Sequence, residues 1–112
     1  MSPLDITVRS TPNGPVLGVS GELDYATAAE LRDLTATLGL EPGQRLVLDL
    51  ARLEFCDSSG ISALIAARNH AIAAGAHITL AAVPAHTLRV LRIVGLAEVF
   101  DLHPDTESTT GS

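Results

Sequence analysis

Five consecutive residues, Cys56-Asp57-Ser58-Ser59-Gly60, stand between two apolar runs in the stretch EFCDSSGISALIAARNHA, Glu54 to Ala71. A thiol, a carboxylate and two hydroxyls side by side could do three kinds of chemistry. The plainest is helix capping. Asp57 or Ser58 would accept a hydrogen bond from an orphan amide, Ser59 would fill the first turn, and Gly60 would allow close packing. Neither serine has Glu or Gln at the capping-box position, where Ile61 and Ser62 stand. The second is nucleophilic catalysis, which needs a base within hydrogen-bond reach and an oxyanion hole. The histidines are His70, His77, His86 and His103. His70 lies about three turns along the same helix, too far to touch Ser58. His77 begins a strand and His86 lies early in a later helix, neither with an acidic partner recognisable in sequence. The elbow pattern G-x-S-x-G is absent. The third is a regulatory phosphate. A serine at a helix N-terminus is exposed, and its phosphate would meet free amides and the positive end of the helix dipole. Nearly two extra negative charges beside Asp57 would spare the helix and repel a docked partner.

Such a cluster needs elements to hold it. Asp5–Arg9 (DITVR) alternates, Asn13-Gly14 signals a turn, and Val16–Ser20 (VLGVS) follows, predicting an antiparallel hairpin. GELDYATAAELRDLTATLGL opens a helix, with Thr27 and Glu30 as a capping box, Ala28, Leu31, Leu34 and Leu38 as its apolar stripe, and Gly39 as its stop. Arg45–Leu50 (RLVLDL) reads as a buried strand. A second helix is expected over Gly60–Ala74, with Ile61, Leu64, Ile65, Arg68 and Ile72 on one face and Gly75 after its end. His77–Val83 is the next strand. Pro84 starts a third helix, whose apolar face is Leu88, Leu91 and Val94 and whose stop is Gly95-Leu96. Val99–Leu102 is a short last strand. The order β-β-α-β-α-β-α-β implies crossover connections, a partly parallel sheet and an α/β sandwich with helices against one mixed sheet. Residues 1–104 form one expected domain. The remainder, 105–112, is polar and aperiodic and is read as a disordered tail.

Composition narrows the function. The chain has 112 residues, 46% hydrophobic, enough for one core without wholesale disorder. Aromatics are only 3% and the net charge is -6, which argues against nucleic acid and anionic membranes as direct ligands. The single cysteine, Cys56, permits no internal disulfide and fits a reducing compartment. MSPLDITVRS has no apolar core of a signal peptide, and no apolar run approaches the ~20 residues of a membrane span. A cytoplasmic monomer is the expectation. No metal, P-loop or dinucleotide motif is present, so no cofactor is expected.

GELDYATAAEL, LVLDLARLEFCDSSGISAL and GAHITLAAVPAHTLRVLRIVGLAEVF together resemble the STAS domain of bacterial anti-sigma-factor antagonists, over roughly Leu4 to His103. The resemblance implies a four- to five-stranded mixed sheet with helices on one face. It also implies a partner switch and no enzyme activity. Ser58 matches the serine phosphorylated by a partner that is both serine kinase and anti-sigma factor. The unphosphorylated antagonist binds that partner and frees the sigma factor, and a PP2C-type phosphatase resets the phosphorylated form. Asp57 then shapes the loop and its field. Ser59 is the second hydroxyl of the block, and Gly60 lets the partner backbone approach. Asp24 is expected near the acceptor, and Tyr25 becomes a candidate interface anchor. Three features depart from the family pattern: the long C-terminal helix of many relatives is missing or very short, Ser62 replaces a glycine of some relatives, and Cys56 stands at an apolar position. The alternative is an unphosphorylated STAS adaptor subunit of a transporter or lipid-handling complex.

Overall fold

The computed structural model describes residues 3–104, so the tail expected at 105–112 lies outside the described residues. The first two strands, β1 (Leu4–Thr11) and β2 (Gly14–Leu23), pair antiparallel from Leu4↔Gly21 to Thr11↔Gly14. The elements that follow are α1 (Ala28–Ala36), β3 (Arg45–Asp49), β4 (Leu53–Cys56), α2 (Ser58–Ala73), β5 (His77–Ala81), α3 (Ala85–Ile93) and β6 (Asp101–His103). The sheet runs β1-β2-β3-β5-β6, with β4 also on β2. Every pairing except β1–β2 is parallel. The mixed sheet expected from the sequence is therefore present, with β4 as a strand beyond the expected number.

β2 explains how six strands fit. It is ten residues long, and two strands share its edge. Val16–Gly18 pair with Val47–Asp49 of β3, and Gly21–Leu23 pair with β4. Chain leaving β3 is held at Leu50, whose N–H donates to the Ala81 carbonyl at 2.9 Å, and then rejoins β2 at Leu53. The register slips between Gly21 and Glu22: Gly21 faces Leu53 but Glu22 faces Phe55. Glu54 is the extra residue. Such a bulge shifts the in–out alternation by one, so Leu53 and Cys56 are both buried while Phe55 is exposed.

Alternation places the core. Leu17 and Val19, Leu46 and Leu48, and Ile78 and Leu80 share one face of the sheet and join Leu31, Leu64 and Leu91 from the three helices. Val16, Val47 and Ala81 form a small cluster on the opposite face. Burial on both faces is why β3 and β5 read as nearly continuous apolar runs.

The helices differ from expectation in detail. The buried face of α2 is Gly60, Ile61, Ala63, Leu64, Ala67 and Ala71, whereas Ile72 is exposed. Small alanines let α2 lie close to the sheet, and a pattern drawn from large apolar residues misses them. Val94 is likewise exposed, while Thr87 joins Leu91 as a buried residue of α3. α1 ends at Thr37, before Gly39, with the Thr37 hydroxyl donating to the Leu34 carbonyl at 2.7 Å. The stop after α3 is the expected Schellman pair: Gly95 has φ +78, and Leu96 N–H donates to the Leu91 carbonyl at 2.8 Å. None of the described helices is long and apolar enough to cross a membrane.

Candidate functional site

The Asp57–Gly60 corner is built where β2, β4 and α2 meet. Leu23 pairs with Cys56 at the ends of their strands, and Asp57 N–H donates to the Leu23 carbonyl at 3.2 Å. Asp57 is extended, and its Oδ1 accepts the Gly60 N–H at 3.0 Å. It is thus the N-cap of α2, one of the two residues the capping reading allowed. Ile61 N–H closes the first helical bond on the Asp57 carbonyl at 3.0 Å. The helix begins at Ser58, two residues before the expected start. Ser58 is exposed, and its hydroxyl makes no hydrogen bond among the described residues. Its carbonyl accepts from the Ser62 hydroxyl at 3.1 Å. Ser59 is half-buried.

Gly60 is buried. A Cβ there would sit 2.5 Å from the Leu23 carbonyl oxygen and 2.7 Å from Cys56 Sγ. The close approach it permits is to its own chain, where the resemblance implied approach by a partner. Cys56 is buried beside it, and its thiol is pushed up to about 12, first by desolvation and then by the Asp57 charge. At neutral pH it is a protonated, small hydrophobe.

Asp24 and Tyr25 stand beside this corner because Leu23 is held to Cys56. The α1 start is capped one turn earlier than expected. Thr27 makes no cap to its own helix. Its hydroxyl donates to the Glu22 carbonyl at 2.7 Å and accepts the Asp24 N–H at 3.0 Å. Asp24 Oδ1 in return accepts the Ala26 and Thr27 amides at 3.0 and 3.2 Å. Asp24 and Thr27 form a reciprocal box one turn earlier, and the Thr27 side-chain cap of the expected Thr27/Glu30 box is not made. The Asp24/Thr27 box fixes the loop that presents Tyr25, which is 87% exposed. Tyr25, Ala28, Ala29, Arg32, Ser59 and Ser62 line a cleft of about 370 Å3 between α1 and α2.

One exposed residue at this corner has no counterpart in the sequence reading. Phe55 is 48% exposed on β4, opposite Glu22. The chain has three aromatic residues, and two of them, Tyr25 and Phe55, are exposed around Ser58, while Phe100 is buried. No histidine is bonded to Ser58 among the described residues: His70 Nε2 lies 3.0 Å from the Leu38 carbonyl, His86 bonds Thr87, and His103 bonds Asp101. No cluster of three metal-ligating side chains occurs among the described residues.

Residues 6–103 match the family model described as "Mlab, STAS domain". Over 99 residues the chain is 29% identical to the anti-sigma-F factor antagonist RsfB of Mycobacterium tuberculosis, covering 88% of this chain and 80% of RsfB. Among solved structures, an anti-sigma factor antagonist from Mycobacterium paratuberculosis superposes with TM-score 0.78 at 25% identity, over 97% of this chain and 95% of that one. SpoIIAA in its unphosphorylated form superposes with TM-score 0.78 at 18% identity, over 94% and 92% of the two chains, a likeness of fold.

Proposed function

The chain belongs to the STAS domain family, and on that premise we propose that it is an anti-sigma-factor antagonist switched by phosphorylation of Ser58. In its unphosphorylated form it binds an anti-sigma factor that is also a serine kinase, and so releases the sigma factor. A PP2C-type phosphatase restores it. It acts as a monomeric cytoplasmic binding protein, without catalysis of its own.

The observation that carries this reading is a division of labour between neighbours. Asp57 caps α2, which leaves the Ser58 hydroxyl exposed and without a hydrogen bond among the described residues. A phosphate can then be added without dismantling the helix start. It brings about -1.5 to -2 charges to a corner that already holds Glu22, Asp24, Glu54 and Asp57. A partner surface that accepts this acidic corner in the free hydroxyl form loses its fit through charge, desolvation and bulk. Tyr25 and Phe55 supply the exposed aromatic area that interfaces favour as anchors, Ser59 and Asp24 flank the acceptor, and Asp57 and Gly60 hold it in place. Phosphorylation of a relative's fold is known from SpoIIAA, whose phosphorylated form superposes with TM-score 0.72.

A second reading has its own observation. The matching family model carries the description Mlab, and a sulfate transporter family protein from Wolinella succinogenes shares the fold with TM-score 0.74. On that reading the same corner docks an adaptor partner and never carries phosphate. Phosphopeptide mass spectrometry separates the two. Protein is incubated with ATP and lysate of its source organism, beside a Ser58→Ala control. Phosphate on Ser58, absent from the control, supports the switch. Unmodified Ser58, in a lysate shown to phosphorylate other proteins, moves the assignment to the adaptor.

A further inference from the structure

A separate cleft opens at the same end of the sheet, beyond the C-terminal ends of β5 and β6 and against α3. It holds about 280 Å3. Val83, Leu88 and Leu102 give it an apolar lining, and Val83 and Leu102 also lean on the main core. Arg92, one turn beyond Leu88 on α3, is its exposed cation. The Arg92 guanidinium makes no ion pair among the described residues. Among the described residues no carboxylate lines the cleft, although the chain as a whole carries -6.

The wall of the cleft includes a backbone exception. Ala82 has φ +54, the only positive φ outside glycine among the described residues. An alanine takes the left-handed conformation only at a cost. Here it is held by its N–H donating to the His103 carbonyl at 2.9 Å. The kink ends β5 and turns Ala82 and Val83 into cleft wall instead of further strand. Parallel α/β sheets take their ligands beyond the carboxyl ends of the strands, which is where this cleft lies.

We propose that this cleft binds a small amphipathic monocarboxylate, its short apolar chain laid on Val83, Leu88 and Leu102 and its carboxylate on Arg92. The volume falls just under the range of drug-sized pockets, which selects a ligand of modest length. The cleft shares no lining residue with the Ser58 corner, so it stands independently of the phosphate reading. It lies one element away from that corner, because α3 packs on β4, the strand that ends immediately before Asp57.

Isotope-labelled full-length protein, titrated in the NMR spectrometer with sodium hexanoate, tests this. Sodium acetate carries the anion alone, and 1-hexanol carries the chain alone. Saturable shifts at Val83, Leu88 and Leu102 are expected with hexanoate, at concentrations where acetate and hexanol give little. Arg92→Gln, an exposed change that leaves the spectrum of the fold intact, should weaken hexanoate about tenfold, as loss of one charge-assisted hydrogen bond does. Three results overturn the proposal: no saturable shift with hexanoate, equal response to acetate or hexanol, or unchanged hexanoate affinity in Arg92→Gln.

Discussion

Gly60→Ala sets two effects of opposite sign against each other at the base of the Ser58 corner. Gly60 lies in the first turn of a 16-residue helix, and the change from glycine to alanine in a helix gains up to about 1 kcal/mol in propensity. Its backbone φ is not in the left-handed region, so alanine brings no torsional strain. Space decides the matter. The new Cβ would lie 2.5 Å from the Leu23 carbonyl oxygen, 2.7 Å from Cys56 Sγ and 2.9 Å from Leu23 Cγ. The nearest atom is backbone, and that carbonyl also accepts the Asp57 N–H at 3.2 Å. Relief therefore requires α2 to move off the end of β2, stretching the bonds that set the corner. Overpacking of this kind costs about 1–3 kcal/mol, which exceeds the propensity gain and leaves roughly 1–2 kcal/mol of net destabilisation. For a domain of this size Tm should fall by roughly 5–15 °C. Urea unfolding followed by circular dichroism should show a lower midpoint at an unchanged m-value. A Tm equal to or above that of the parent would refute the reasoning, since helix propensity would then outweigh contact with Leu23 and Cys56.

Other expectations rest on separate parts of the molecule. Leu64→Asp and Leu91→Asp each place an unpaired carboxylate at a fully buried position and should cost more than about 4 kcal/mol, leaving little folded protein; unchanged melting in both would disprove the core assignment. The Cys56 thiol, with its pKa near 12 and its side chain buried, should resist an aromatic disulfide reagent at pH 8 until urea unfolds the protein; rapid stoichiometric reaction of the native state would contradict that environment. Asp101 lies at 2.8 Å from Arg45 and 3.3 Å from His103, and Thr79 donates to it at 3.1 Å. Burial works to raise its carboxyl, but the Thr79 bond, His103 and Arg45 outweigh it and hold the group below its ordinary 3.8. A lowered folded-state pKa contributes stability above the ordinary value and loses it as pH falls through the folded one. The side chain is half exposed, so the contribution is at most about 1 kcal/mol. The difference in urea midpoint between parent and Asp101→Asn should persist from pH 7 to 5 and close below the ordinary carboxylate range. A difference independent of pH would rule out the charge as its cause.

Where the sequence was legible, one residue's type forced one structure. Gly75 and Gly95 both take φ near +75 after their helices, as a C′ glycine must. The hairpin, β3, β5 and three helices follow from apolar runs bounded by turn residues, and the Asp57–Gly60 corner from small polar residues before a helix. What escaped is what depends on a neighbour distant in sequence. Leu53–Cys56 is too short to read as a strand and becomes one only because β2 is long enough to offer an edge beyond β3. The bulge at Glu54 is set by that pairing, and it reverses the alternation that Leu53 and Phe55 would otherwise share. Phe55 is therefore turned outward by a register slip against Gly21 and Glu22, which no local pattern encodes. The same pairing places Cys56 beside Leu23 and so makes Gly60 the only residue type that fits above them. An aromatic turned to solvent and a serine held in the open on a capped helix are thus two results of one short strand joining β2.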